Sequence, residues 1–101
     1  MSDIQSTYLS FTEVCLQTGV AEDTVVEIVE QGIMEPIGDS PGEWLFSPAM
    51  LILTKKAVRL HRDLNVDWAG IALALELLDE VEQLQEKNRN LERRLSRFVD
   101  L

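Results

Sequence analysis

The stretch GVAEDTVVEIVEQGIMEP, residues 19–36, decides the fold of this chain. Gly19 and Gly32 bracket a segment in which valine and isoleucine recur at helical spacing, and glycine is a common helix terminator. The pattern predicts the second helix of a helix-turn-helix over residues 22–31, followed by a short extended segment. The side chains predicted to face the core are Val25, Ile28 and Val29.

The charge of this predicted helix does not match its shape. In a DNA-binding helix-turn-helix, the second helix lies in the major groove, where positively charged side chains favour binding. Here the same helix has four acidic residues and neither lysine nor arginine. The acidic residues are Glu22, Asp23, Glu27 and Glu30. The sequence therefore combines the shape of a DNA-binding element with a charge that repels phosphate.

The whole chain has a similar imbalance. It has 101 residues, enough for one domain with an appended helix, and a formal net charge of −9. Residues 1–54 contain nine acidic residues and no lysine or arginine, whereas residues 55–101 contain nine of each sign. The negative field of the N-terminal half disfavours nucleic acids and anionic membranes, and it attracts a basic partner.

Composition also bears on the cellular compartment. One cysteine excludes an internal disulfide and fits a reducing environment. The N-terminal residues lack the basic region and apolar run of a signal peptide, and no apolar run is long enough to cross a membrane. We expect a soluble cytoplasmic protein.

The segments around the central helix complete a winged helix-turn-helix. Ser10 and Glu13 form a capping box that begins a first helix, which ends before the first glycine of the central stretch. Residues 33–36 and 43–46 are predicted to pair as a two-stranded wing across the turn-forming residues 38–42.

Shorter signals mark the elements before and after this region. Tyr8–Leu9, just before the first helix, is a candidate for a short strand. Ser47 is an N-cap and Pro48 is the residue type favoured at the first helical position, so a third helix begins here and runs to about residue 64. Asp67 caps a fourth helix.

The fourth helix carries a coiled-coil pattern. It is predicted from Trp68 to about Phe98, which is roughly 45 Å at about 1.5 Å per residue. Seven residues along this helix are separated alternately by four and three positions. This spacing is typical of the a and d positions that form the seam of a coiled coil. The seam consists of Leu77, Val81, Leu84, Asn88, Leu91, Leu95 and Phe98. A helix this long cannot pack wholly on a small domain, so the seam predicts a homodimer, in parallel or antiparallel orientation.

The predicted fold is therefore mainly α: a winged helix-turn-helix with a small two-stranded wing and a long C-terminal coiled-coil helix. Residues 1–66 form the winged domain and residues 67–101 the dimerisation helix. The polar Asn88 fixes the register of such a coiled coil at some cost in stability.

No catalytic, metal or cofactor site is visible in the sequence. His61 is the only histidine and is far in sequence from Cys15, so no cysteine–histidine pair is predicted. There is no glycine-rich phosphate loop, no serine nucleophile elbow and no metal-ligand spacing. We expect a surface or half-buried His61, a Cys15 that packs as a small apolar residue, and no enzymatic activity.

Two further groups of residues have alternative roles. Lys55, Arg59 and Arg62 share one face of the third helix. They would either contact phosphate or form a solvated face or intrachain pairs with the acidic half, and the sequence favours the solvated or paired role. Trp44 in the wing is either an exposed anchor for a partner or part of the core, and the sequence leaves both roles open.

The central stretch resembles the MerR-type winged helix-turn-helix. The motif of that family, G-V-s-x-x-t-L-R-y-Y-e-x-x-G-L-l-x-P, aligns with residues 19–36 without a gap. Matching scaffold positions are Gly19, Val20, Thr24, Gly32 and Pro36. The family's arginine and two tyrosines in this helix fall on Val26, Glu27 and Ile28, and its wing arginine falls on Trp44. The scaffold of a DNA reader is kept, while its contact residues are replaced by acidic or apolar groups.

A second resemblance covers nearly the whole chain. The chain resembles the bacterial CbpM family of chaperone modulators. The resemblance is carried by the segments CLQTG (15–19), EIV (27–29), Gly32, EP (35–36), WLF (44–46), AVRL (57–60), DWAGIA (67–72) and RLSRF (94–98). The resemblance implies a small MerR-like protein that binds the J-domain of the co-chaperone CbpA. The resemblance also implies that the protein inhibits two activities of CbpA. These are the stimulation of the DnaK chaperone by CbpA and the binding of CbpA to DNA. A J-domain contacts its chaperone through a basic helix, which fits an acidic partner surface.

The favoured function is thus a protein-interaction modulator that masks a basic J-domain surface. The candidate contact residues are Glu22, Asp23, Glu27, Glu30 and Trp44. The alternatives are a MerR-type DNA-binding transcriptional regulator and a structural coiled-coil adaptor that needs only its C-terminal helix. The lack of lysine and arginine through residue 54 argues against the DNA-binding regulator.

Overall fold

The computed structural model describes residues 7–99 and has the mainly helical architecture predicted from the sequence. Residues 1–6, in which the sequence predicts no secretion signal, and residues 100–101 lie outside the described part of the chain. The elements in chain order are strand β1 (Leu9–Ser10), helices α1 (Phe11–Thr18) and α2 (Glu22–Glu30), a 3₁₀ turn (Pro41–Glu43), strand β2 (Leu45–Phe46), and helices α3 (Pro48–Leu64) and α4 (Trp68–Val99). The predicted fold class is confirmed, with a two-stranded antiparallel sheet and a long C-terminal helix.

The boundaries of α1 follow its capping residues. The Glu13 N–H donates to the Ser10 hydroxyl at 3.2 Å, and the Ser10 N–H donates to the Glu13 carboxylate at 2.8 Å, which confirms the capping box. Gly19 ends α1 in the left-handed conformation with a φ of 73°, where a residue with a Cβ is strained. Local chemistry therefore fixes the turn between α1 and α2.

The corner between α3 and α4 is also built from caps. Asn65 ends α3 with a φ of 53°, and the Gly70 N–H donates to the Asp67 carboxylate at 2.9 Å, as expected of a helix cap. The rings of His61 and Trp68 stack with their centroids 4.0 Å apart. These contacts set the direction in which α4 leaves the domain, and they give the buried Trp68 a structural role at this corner.

The wing differs from the prediction. Strand β2 pairs antiparallel with β1, which overlaps the candidate strand before the first helix, and Ile37 alone forms an isolated bridge to β2. The predicted pairing of residues 33–36 with residues 43–46 is therefore wrong. Pro36 has no N–H to donate to a sheet, and the side chain of Met34 is buried in the core. This segment covers the core instead of forming a strand.

One hydrophobic core joins the helices to β2. Its buried residues are Val14, Val25, Ile28, Met34, Phe46, Ala57, Trp68 and Ile71. Thr54 is also buried, and its hydroxyl keeps a hydrogen bond because it donates to the Met50 carbonyl at 2.8 Å. The first turns of α4 belong to this core, whereas every side chain of residues 76–99 is exposed. Helix α4 is thus anchored at one end and projects from the domain at the other.

The anchoring of α4 predicts different effects for truncating two isoleucines. Ile71 is fully buried, whereas Ile52 on α3 is 69% exposed. Ile71→Ala should lower the free energy of unfolding by about 2–5 kcal/mol, because it removes buried methyl groups and leaves a cavity. Ile52→Ala should change it by less than ~1 kcal/mol. Urea unfolding followed by circular dichroism measures both values, and equal effects would show that α4 is not anchored in the core.

Candidate protein-interaction surface

The outer side of α2 is an acidic face, formed by Glu22, Asp23, Glu27 and Glu30. Val25 and Ile28 are fully buried and fix the rotation of the helix about its axis, so all four acidic side chains are exposed. The first two lie in the first turn of α2, where negative charge is favourable because of the helix dipole. Four of the five candidate contact residues therefore share one exposed helical surface.

The charge of the acidic face is not compensated within the described part of the chain. The ion pairs among residues 7–99 have Asp63 and Glu86 as their acidic partners, and neither lies on α2. In the sequence, no lysine or arginine precedes residue 55. A cationic partner can therefore approach the acidic face without competing with an internal ion pair.

The positions that carry DNA contacts in the MerR-type pattern cannot do so in this chain. Ile28 is fully buried, Val26 is half-buried, and only Glu27 is exposed. A buried aliphatic side chain cannot reach a base edge or a phosphate, and an exposed carboxylate repels phosphate. Helix α2 thus has the place of a recognition helix without the contacts of one.

Trp44 combines the two roles that the sequence left open. It is half-buried and packs edge-to-face against Phe11, with ring centroids 5.7 Å apart, and against Phe46, with centroids 6.0 Å apart. The ring therefore connects α1 to β2, while part of it stays accessible. Trp44 is a structural residue of the wing with an exposed portion that a partner can reach.

The junction of α1 and α2 exposes an apolar residue that the sequence did not single out. Leu16 is 78% exposed near the end of α1. Its neighbour Cys15 is half-buried; burial raises the pKa of the thiol, and the negative charge of Glu22 raises that pKa further. Leu16 is thus an exposed apolar side chain in the helix that directly precedes α2 in the chain. A helix of eight residues with one buried side chain is too short for periodicity to reveal such a position.

The basic residues of α3 form a solvated face, as the sequence favoured. Lys55, Arg59 and Arg62 are all exposed. The Nε atom of Arg62 lies 3.7 Å from a carboxylate oxygen of Asp63 on the same helix, and none of the ion pairs among residues 7–99 joins α3 to α2. The alternative of pairing with the acidic half is therefore absent from this part of the chain.

The predicted seam of α4 is exposed in the single chain. The exposed fraction of its apolar side chains ranges from 48% at Val81 to 76% at Phe98. Beside the seam, the Glu86 carboxylate accepts a hydrogen bond from Arg89 at 2.7 Å, which lowers the pKa of Glu86, and Arg93 lies 3.8 Å away. These charged residues pair along the helix, while nothing within residues 7–99 covers the apolar seam.

Residues 7–99 contain neither a membrane-spanning helix nor a cluster of metal-binding side chains. No helix in this range is long and apolar enough to cross a membrane. The histidine, cysteine and acidic side chains of the same range form no group of three that could hold a metal ion. His61 is half-buried at the α3–α4 corner, where its Nδ1 atom lies 2.7 Å from the Val66 carbonyl oxygen.

Comparison with known proteins connects these features to a family. The family described as "MerR HTH family regulatory protein" matches residues 9–93. A relative from Pseudomonas putida named chaperone modulatory protein CbpM is 46% identical over 101 residues, which cover 100% of both chains. A protein of the same name from Escherichia coli is 42% identical over 99 residues, covering 98% of this chain and 97% of the relative. These names point to a non-catalytic regulator.

The electrostatic effect of Glu22 on the Cys15 thiol predicts a change in thiol reactivity. Glu22→Gln removes a negative charge and should lower the pKa of the Cys15 thiol part of the way to its ordinary value. Alkylation by iodoacetamide at mildly alkaline pH should then be faster, by less than about tenfold because burial remains. Mass spectrometry of the alkylated protein across a pH series measures the rate. Glu30→Gln, at the far end of α2, is the matched control, and equal rates in the two variants would contradict an electrostatic effect of Glu22 on the thiol.

Proposed function

Because this chain belongs to the CbpM family of MerR-like chaperone modulatory proteins, we propose that it binds the J-domain of a CbpA-type co-chaperone. Binding would inhibit both the co-chaperone activity and the DNA binding of that protein. The observation that carries the proposal is the uncompensated acidic face on a helix whose place in the fold is that of a DNA reader. That face is complementary to the basic helix of a J-domain.

The inhibition proposed is competitive and needs no chemistry. A J-domain helix whose basic side chains lie against α2 is no longer available to its chaperone or to DNA. The four carboxylates attract the basic helix from a distance, and complementary charge chiefly raises the association rate and the specificity of a complex. The single cysteine fits a reducing compartment and supports our proposal that this activity is cytoplasmic.

The proposed contact residues are those of the acidic face together with Trp44. The carboxylates of Glu27 and Glu30 are the most informative of these, because they lie beyond the first turn and do not contribute to the start of the helix. The accessible portion of Trp44 would contribute apolar contact, since aromatic side chains are common anchors in protein interfaces.

We further propose that α4 joins two copies of the chain. The helix has 32 residues and spans about 48 Å. Its exposed seam is the apolar surface that a second helix with the same pattern would cover. The polar Asn88 would then lie between the two helices and select one register.

A MerR-type transcriptional regulator is the second candidate, favoured by the match of residues 9–93 to a family of regulatory proteins. DNA binding would have to come from residues outside α2, such as the solvated basic face of α3. The net charge of −9 opposes it. Salt-dependent binding of duplex DNA by the isolated protein would favour this candidate over the chaperone modulator.

Charge reversal on α2 tests the proposed contact. Glu27→Lys/Glu30→Lys should weaken binding to the co-chaperone by about tenfold or more at low ionic strength, because it places positive charge against a basic helix. The difference should shrink at high salt, where exposed charges are screened. Isothermal titration calorimetry at two salt concentrations measures both effects.

The matched control for this test is Asp63→Lys/Glu80→Lys. It makes the same change in net charge at two exposed residues outside α2. Equal losses in the two variants would show that only the overall charge matters. Unchanged affinity of the α2 variant at low salt would contradict the placement of the contact.

A charge within the seam of α4 tests the proposed dimer. Leu84→Asp should convert dimers to monomers, because assembly would bury an unpaired carboxylate between the helices. Sedimentation velocity of the variant and the parent protein at equal concentrations measures the change. Ser96→Asp, on the same helix but off the seam, should remain dimeric, and an intact Leu84→Asp dimer would mean that another surface joins the copies.

A further inference from the structure

A groove of about 310 Å³ lies where the end of α2, the middle of α3 and the first half of α4 meet. Its floor is apolar, formed by Ile33, Leu53 and Leu75, which are all half-buried. Its rim is acidic, formed by Glu76, Asp79 and Glu82, which are all exposed. The groove therefore has a different character from the acidic face of α2, because it offers apolar contact as well as charge.

The acidic rim is largely free to bind. Its three carboxylates follow one another along α4 at intervals of three residues and make none of the ion pairs found among residues 7–99. Asp79 accepts one hydrogen bond, from the Gln83 amide at 2.8 Å. Lys56 also lines the groove and leaves an excess of negative charge on it.

The groove lies away from the seam of α4. Leu75 and Asp79 are each two residues from Leu77 in the sequence. At about 100° per residue, this places each of them about 200° around the helix axis from Leu77. The side of α4 that lines the groove is thus opposite the side that carries the seam. A second copy bound along the seam would leave the groove open to a different partner.

The groove begins just after the acidic face in chain order. Gly32 and Ile33 line it and follow almost directly after Glu30, the last residue of α2. Exposed acidic residues are therefore present both on α2 and on the part of α4 that lines the groove.

We propose that the groove receives a basic amphipathic helix of the co-chaperone, with apolar side chains on the floor and lysine or arginine side chains on the rim. This inference rests on the proposed function and extends its site to α3 and α4. An amphipathic helix in a groove is a recurrent mode of recognition, and the volume suits a few side chains rather than a large ligand. The rim carboxylates exclude a nucleic acid by repelling its phosphates.

Charge reversal on the rim tests the proposal with purified full-length co-chaperone. Glu76→Lys/Glu82→Lys should weaken binding by about tenfold or more at low ionic strength while leaving the melting temperature unchanged, since both residues are exposed. Asp63→Lys/Glu80→Lys, outside the groove, is again the control with an equal change in net charge. Affinity that is equal in the rim variant and the control would overturn the proposal.

The apolar floor is tested separately by methyl NMR of the parent protein. Addition of the co-chaperone should shift the methyl resonances of Ile33, Leu53 and Leu75, while those of Ile52, exposed on α3, should stay unchanged. A complex that forms without shifts on the floor would overturn the groove as a site and leave the proposed function standing. Failure of the parent protein to bind the co-chaperone at all would overturn both.

Discussion

The burial of Val25 and Ile28 is the constraint on which the rest of the surface depends. Both side chains are fully enclosed by the common core, so α2 has only one rotation about its axis that keeps the core intact. That rotation turns the four acidic residues outward together. Ile28 also occupies a position where the MerR-type pattern has a tyrosine, so the same side chain that stabilises the fold removes a DNA contact. Ile28 thus serves the core at a position where the MerR-type pattern has a DNA-contacting residue.

Fold and binding chemistry are determined by different residues in this chain. The caps, the left-handed Gly19 and the core define a helix-turn-helix with a wing. None of these features depends on the sign of the surface charge. The exposed positions therefore can change from basic to acidic without loss of the fold, because surface substitutions away from the core have small effects on stability. A scaffold that suits DNA can in this way present a surface suited to a basic protein.

Local signals in the sequence were enough to predict the helices, their caps and the exposed face of α2. The capping box at Ser10 and the stop at Gly19 involve residues close in sequence, and the structure confirms both. The strand pairing was predicted wrongly because two-residue strands carry no periodicity, and β1 lies far in sequence from β2. The groove could not be predicted for a similar reason, since its floor combines one residue from the loop after α2 with one each from α3 and α4. The half-buried packing of Trp44 likewise depends on tertiary contacts with two phenylalanines.

The anchoring of α4 has a consequence for any assembly built through this helix. The corner at Asp67 and the buried Trp68 and Ile71 join the helix firmly to the domain, and no break interrupts it as far as Val99. In the proposed dimer, the two domains would therefore be held at a set distance by rigid arms rather than by a flexible linker. If such a dimer binds a dimeric target, the first domain binds one copy of the target and the second domain must then reach the other copy. The effective concentration for this second binding event is high when the two target copies are separated by the distance between the domains, and it is close to zero at other separations. The length of α4 would therefore determine which dimeric partners can bind both domains at once.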